Sequence, residues 1–380
     1  MKKVVIIFLA AVFMLAMYVP VSATDWNIYG NARVQTFFTD YDEDIDDPLA
    51  DRTDFDHSLN VVSRLGAMVD HGIVGGHVEV GFAPGIYTRH MYGTVDMPFG
   101  QLLIGQTWAP YGAGSFISSQ VYASDEGGLP FIGYGHRKPM IQLTVDNFKI
   151  ALIETQRVGF GEDEFDKAIV GSDDSEVLLP QVQLSYDMAV TDGIALHFAG
   201  AFQTYELKGT HEIIDPDLEI LAIIDPDLDP VIGEIDYDGE TLNAFGITAN
   251  ARFTMMDPMY LNIGGFYGVN HAVIDATYND VMPEIDGNDI ADTDSFGILL
   301  AVGTKVNDIG LELGFGYRQD ENDTWDDPLE MMLIYANANI PLTPEGSAFI
   351  VPEIGYYDYD MDDADLGDKF YAGLKWQVNF

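Results

Sequence analysis

In Phe370–Phe380 every second side chain is apolar. Phe370, Ala372, Leu374, Trp376, Val378 and Phe380 share one face, while Tyr371, Gly373, Lys375, Gln377 and Asn379 share the other. Extended strands point successive side chains to opposite faces, so this is a strand with one greasy side and one wet side. The same two-residue period recurs along the chain. In Asn27–Phe38, Ile28, Ala32, Val34 and Phe38 oppose Asn31, Arg33 and Gln35. In Phe55–Met68, Leu59, Val61 and Leu65 oppose Asn60 and Arg64, and in Thr241–Met255 Phe245, Ile247 and Phe253 oppose Asn250 and Arg252. Wherever the phase is clear, the bases Arg33, Arg64, Arg252, Lys305, Arg318 and Lys375 fall on the polar face.

Sixteen such segments follow one another, an even number, and their connections alternate between short turns and long loops. Asp70-His71-Gly72, Pro98-Phe99-Gly100, Asp146-Asn147 and Asp257-Pro258 are among the short ones. A soluble sandwich has no reason to lengthen every second connection, whereas a membrane barrel with short turns on one side and long loops on the other does. After residue 23 no run approaches the roughly 18 apolar residues of a membrane helix, Ile298–Val302 being typical. The remaining structure able to cross a bilayer with every backbone group paired is a closed barrel. The expected fold is therefore all-β, a 16-stranded antiparallel transmembrane β-barrel with its apolar faces outward. A base on the lipid face costs roughly 2–4 kcal/mol near the midplane, and an interior lined by Arg, Lys, Asn and Gln must be wet.

Residues 1–23 join Lys2-Lys3 to a short apolar stretch and end in Val21-Ser22-Ala23, the pattern of a secretory signal peptide. Residues 24–380 then form the barrel, with export to the outer membrane as the expected location. The net charge is −45, from 62 acids against 17 bases, which repels phosphate backbones and excludes nucleic acid as a partner. Cys is absent, so there is no disulfide, thiol nucleophile or cysteine metal site.

The last strand, ending on Phe380, resembles the closing strand of Gram-negative outer-membrane barrels. That resemblance makes Phe380, with Val378 and Trp376, part of the signal read by the barrel-assembly machinery. Over the whole mature chain the architecture resembles the sixteen-stranded trimeric diffusion porins, and Phe99-Gly100-Gln101-Leu102-Leu103-Ile104-Gly105-Gln106-Thr107-Trp108 is similar to a stretch of the DcaP-like trimeric transporters. The resemblance implies a homotrimer among outer-membrane lipid and lipopolysaccharide. It also implies that the loop after the fifth strand, 110–135, folds into the barrel as a constriction. On that loop Asp125 and Glu126 would face a basic wall drawn from Arg33, Arg64, Arg252 and Arg318, with Lys138 beside it, and opposed charges across a narrow gap favour small polar solutes. Arg137 serves either the wall or the strand turn. Glu79, Glu312 and Glu353 are the acids expected to face the lumen.

The function this predicts is passive diffusion of ions and small hydrophilic solutes, with no cofactor and no catalytic residue. Two other classes stay open. One is a barrel enzyme hydrolysing lipid, for which His57-Ser58 with Asn60 is the nearest motif. The other is a structural or adhesin barrel with Ca²⁺ or Mg²⁺ held weakly by its acidic loops. Those loops include Asp40-x-Asp42-x-Asp44-x-Asp46, Asp358-x-Asp360-x-Asp362 and two copies of I-I-D-P-D-L at 213–218 and 223–228. The first stretch has Ile45 and Asp51 where a calcium-binding EF-hand loop needs Gly and Glu, so a solvated surface is the simpler expectation.

Overall fold

The computed structural model describes residues 25–42, 52–112, 117–125, 127–134, 136–155, 157–162, 168–170, 172–214, 231–274, 282–286, 289–361 and 364–380. The signal segment 1–23, Glu126, the acidic residues Asp44, Asp46 and Asp362, and all but Ile213 and Ile214 of the repeated I-I-D-P-D-L lie outside the described residues.

Sixteen antiparallel strands form one closed barrel. The first eight are β1 (Asp25–Asp42), β2 (Arg52–Leu59 and, after a break, Arg64–His71), β3 (Val74–Gly81), β4 (Tyr87–Met97), β5 (Gly100–Trp108), β6 (Arg137–Val145), β7 (Phe148–Ile153) and β8 (Ser175–Val177 and Gln181–Thr191). The second eight are β9 (Ile194–Leu207), β10 (Thr241–Met256), β11 (Met259–Val269), β12 (Thr293–Val306), β13 (Ile309–Asn322), β14 (Leu329–Pro341), β15 (Ala348–Met361) and β16 (Ala364–Asn379). Each pairs with its neighbours in the chain, and β1 closes on β16 with Asn31 opposite Asn379 and Asp42 opposite Asp368. The short turns after β2, β6 and β12 hold Gly72 (φ 67), Asp146 (φ 50) and Asn307 (φ 55), residue types that tolerate the left-handed backbone of a two-residue hairpin. Three long connections carry hairpins of their own: Phe160–Glu162 with Ala168–Val170, Thr210–Ile214 with Val231–Asp236, and Glu284–Asp286 with Asp289–Ala291.

The molecule is inside-out. Ile28 (62%), Ile104 (55%) and Leu313 (57%) are exposed on the outer face, whereas Gln183, Asn250 and Glu353 are buried within. That distribution suits lipid outside and polar contacts inside.

Two features depart from the sequence reading. Phe55–Met68 is not one strand, because it breaks at Asn60–Ser63. Asn60 Nδ2 donates to Gln35 Oε1 (3.1 Å), and the Ser63 hydroxyl donates to the Arg33 carbonyl (3.1 Å) while accepting from Arg33 N (3.0 Å). These side-chain bonds replace ladder bonds, so β2 bulges. Val61, expected on the outer face, instead lines a lumen cavity with Val62. Beyond the break, Arg52–Leu59 pairs with β1 on one side and, among the described residues, with no strand on the other.

The interior is also not wet throughout. The loop after β5 turns inward, as expected, carrying a single helical turn α1 (Tyr122–Asp125) and a tighter turn at Leu129–Phe131. Its Ile117, Val121, Phe131 and Ile132 pack against Leu299, Leu333 and Val351 of β12, β14 and β15. A second turn, α2 (His271–Ile274), follows β11 and packs Val273 and Ile274 against Tyr205, Leu207 and Leu242. Apolar loop residues thus dry part of a wall that is otherwise polar. Glycine makes the seat: a Cβ on Gly316 would lie 2.6 Å from the Phe131 ring, and one on Gly297 would lie 2.8 Å from the Phe131 carbonyl oxygen.

Candidate functional site

Because the inward loop packs against the β10–β15 side, open space remains against β1–β6 and β16. There a cavity of about 690 Å³ is bounded by Arg33, Arg64, Arg89, Arg137 and Lys375, with Asp125 on the loop side. Each base arrives from a different strand: Arg33, Arg64 and Lys375 by alternation, Arg89 at the bulge of β4, and Arg137 at the first residue of β6, off the alternation that turns Lys138 inward, while barrel closure brings β1 beside β16.

Asp125 does not stand across a gap from the basic wall. It touches it, forming an ion pair with the Arg33 guanidinium and accepting from Lys375 Nζ at 2.6 Å. Arg33 Nε is turned toward Asn31 Oδ1 (3.1 Å). Glu79 lies behind this wall. It accepts from Arg89 Nε (2.6 Å) and the Tyr29 hydroxyl (2.6 Å), and Arg64 Nε stands within ion-pair distance at 3.5 Å without hydrogen-bond alignment. Arg137 lies over Trp108, 3.6 Å from the ring centre, and its buried Nε has no hydrogen-bond partner among the described residues. Five cations therefore meet a single described carboxylate on the cavity surface, with one more carboxylate behind them.

The other expected wall residues lie elsewhere. Arg318 is buried beneath the inward loop, donating to Asp320 (2.7 and 2.9 Å) and reaching the Pro130 carbonyl at 3.5 Å. Lys138 donates to the Ile274 carbonyl (2.9 Å), which ties α2 to β6. Arg252 is exposed near the short turn after β10, 5.8 Å from the Tyr260 ring centre. All three occupy the polar face, as alternation requires, but at other heights or angles.

Glu312 and Glu353 are not a bare acidic lining. Glu353 accepts from the backbone N–H groups of Val121 and Tyr122 (2.8 Å each) and from Asn337 Nδ2 (3.0 Å). Glu312 accepts from Ser119 N (2.6 Å) and the hydroxyls of Tyr335 (2.7 Å) and Tyr260 (2.5 Å). Buried carboxylates need such donors, and the start of α1 has N–H groups without helical partners. They are loop anchors.

Sequence reading missed Arg89 and gave Arg137 and Lys375 no fixed place on the wall. Arg89 escapes the two-residue count because β4 carries a bulge, with Glu79 opposite His90 and Val80 opposite Thr88. Trp108, at the end of β5, turns in under Arg137. Trp376, Val378 and Phe380 do face outward, and Phe380 completes the seam by exchanging backbone bonds with Gly30 (2.8 and 3.0 Å). His57 bonds Thr36 (2.9 Å) while Ser58 bonds Asp56 (3.1 Å). Consecutive strand residues point to opposite faces, so His57 and Ser58 are not placed to act on one substrate.

A further cavity of about 530 Å³ lies on the long-loop side, lined by Arg157, Lys138, Gln181 and Val273 and sharing His136 and Arg137 with the first. The two cavities thus adjoin at His136 and Arg137.

No family model matches the chain, and no curated protein matches it. Solved structures do. The outer membrane channel DcaP of Acinetobacter baumannii superposes with a TM-score of 0.64 at 15% identity, over 94% of this chain and 98% of that one. The trimer form of OmpT, an outer membrane protein of Vibrio cholerae, gives 0.56 at 14%, over 94% and 100%. An anion-selective porin from Comamonas acidovorans gives 0.54 at 11%, over 94% and 100%. At these identities the likeness is one of fold: the chain has the sixteen-stranded barrel of outer-membrane channels and trimeric porins.

Proposed function

We propose that this chain is an outer-membrane diffusion channel, not an enzyme, and that its narrow zone prefers small hydrophilic anions, carboxylate-bearing solutes among them. The observation that carries this reading is the set Arg33, Arg64, Arg89, Arg137 and Lys375 around one cavity with Asp125 as its described acid. A unit charge several ångström away contributes roughly 1 kcal/mol at dielectric constants between those of a protein surface and water, so a net excess of about three cations amounts to about 3 kcal/mol and favours anions on the order of a hundredfold before salt screens it. The acidic outer loops act in the opposite sense and gather cations at the mouth. The fold shared with an anion-selective porin is consistent with this assignment.

Reversal potentials across a planar bilayer under a salt gradient test it. Wild type is expected to pass chloride over potassium, and Arg64→Ala with Arg89→Ala to lower that ratio several-fold. A cation-selective wild type, or a double variant with unchanged ratio, would sink the reading.

The proposal extends to assembly. Residues 1–23 are removed on export, the Phe380 strand is read by the barrel-assembly machinery, and the folded barrel sits among outer-membrane lipid and lipopolysaccharide. Among the described residues Arg52–Leu59 has a strand on one side alone, and with Phe55 (68%), Phe82 and Ile86 (68%) exposed this supports a homotrimer meeting on this side. A lipid-facing strand edge would leave backbone groups unsatisfied, which a neighbouring copy relieves. Migration of unheated protein at trimer mass, lost in an Ile86→Arg variant that still conducts, is the expected result.

A further inference from the structure

We propose that Arg33 and Lys375 form an oxyanion-binding station whose built-in occupant is the Asp125 carboxylate, displaced in turn by the carboxylate or phosphate of a passing solute. The inference rests on the anion-preferring constriction and adds to it where binding occurs and what competes.

Three observations carry it. First, Asp125 bridges both cations at once, with Lys375 Nζ at 2.6 Å and the Arg33 guanidinium in contact, and all three side chains line the cavity. The bridge has the form a solute carboxylate would take between the same two donors. Second, the loop does not need this bridge to stay folded. Its backbone is held by Glu312 and Glu353, and Gln120 ties it twice more, accepting from Gly128 N (2.8 Å) and donating to the Tyr357 hydroxyl (2.9 Å). Phe131 is seated independently on Gly316. Asp125 lies at the end of α1, so its carboxylate can leave by side-chain rotation while the loop stays in place. Third, among the described residues no other carboxylate pairs with Arg33 or Lys375. When Asp125 swings away, two cations face the lumen and a passing oxyanion meets both. A resident acid keeps the site from holding each solute too long, since conduction requires that a bound ion also leave.

The test uses the full purified chain in a planar bilayer, with Asp125→Asn as the variant and inorganic phosphate and malonate as separate probes. Asp125→Asn is expected to raise the chloride-to-potassium permeability ratio about threefold, because two cations lose their partner. Block of chloride current is expected at about tenfold lower probe concentration than in wild type. Malonate acting at lower concentration than phosphate assigns the station to carboxylates, and the reverse order assigns it to phosphate. Asp125→Glu should behave as wild type. Where Asp125→Asn fails to assemble, Lys375→Gln serves: the ratio should fall and probe block should weaken. Unchanged selectivity and unchanged block in the assembled variant overturn the station, even where Arg64→Ala with Arg89→Ala still lowers selectivity. If that pair also changes nothing, the anion-preferring constriction fails with it.

Discussion

The two sides of the lumen obey the same alternation and come to opposite ends. On the side of β1–β6 the inward residues include Arg33, Arg64, Arg89 and Arg137, the strands after β1 are short, and space is left open. On the side of β12–β15 the inward residues are Leu299, Gly297, Gly316, Glu312, Leu333, Tyr335, Val351 and Glu353, and the loop lies on them. Period two decides which face a side chain takes, but not whether that face meets water or a loop. What decides this is composition within the inward set. Long cationic side chains such as Arg33 and Arg64 offer backbone no seat, whereas glycine, leucine and a carboxylate aimed at orphan N–H groups make a surface for docking backbone.

The contrast breaks most completely if the docked side is stripped of its acceptors. Glu312→Ala with Glu353→Ala leaves three loop N–H groups and the Tyr260 hydroxyl without these acceptors, at about 1–3 kcal/mol for each unsatisfied buried donor. The loop should come off the wall, and single-channel conductance should rise several-fold with loss of ion preference. Unchanged conductance would mean that the apolar seat alone holds it.

A smaller effect is expected from the seat itself. Gly316→Val puts a methyl-bearing carbon where the Phe131 ring lies, an overpacking of about 1–3 kcal/mol. The expected readout is noisier current with frequent brief openings and an intact heat-resistant barrel; a quiet, wild-type trace would show that Phe131 shifts without consequence.

The smallest concerns Arg252, which shares the polar face with Arg33 but not the cavity. Arg252→Gln should leave the reversal potential where it is, and a shift comparable to that of Arg64→Ala with Arg89→Ala would place the selectivity zone nearer the short-turn end.

These variants also mark how far the chain could be read without coordinates. The alternation of Phe370–Phe380 and the sixteen segments were legible, because lipid on one side leaves a pattern of its own, whereas the inward loop after the fifth strand came from the resemblance to the porins. Arg33 and Arg64 were found by face, and Asp125 through the resemblance to the trimeric porins. Arg89 was hidden by a bulge, where one extra residue shifts the count. Lys375 was placed on the correct face, but nothing local says that β16 closes beside Arg33 of β1. Glu312 and Glu353 looked like lumen charges, since a sequence shows an acid's face and not the amide groups that later cover it.

The seam between β1 and β16 has a kinetic consequence. Residues near Gly30 must find residues near Phe380, so the contact that makes the cylinder complete is among the most distant in the chain. Loops that span so much polypeptide close slowly, and until this one does, two raw edges persist. Maturation of the barrel should therefore be governed by how long those ends can be kept from sticking to anything else.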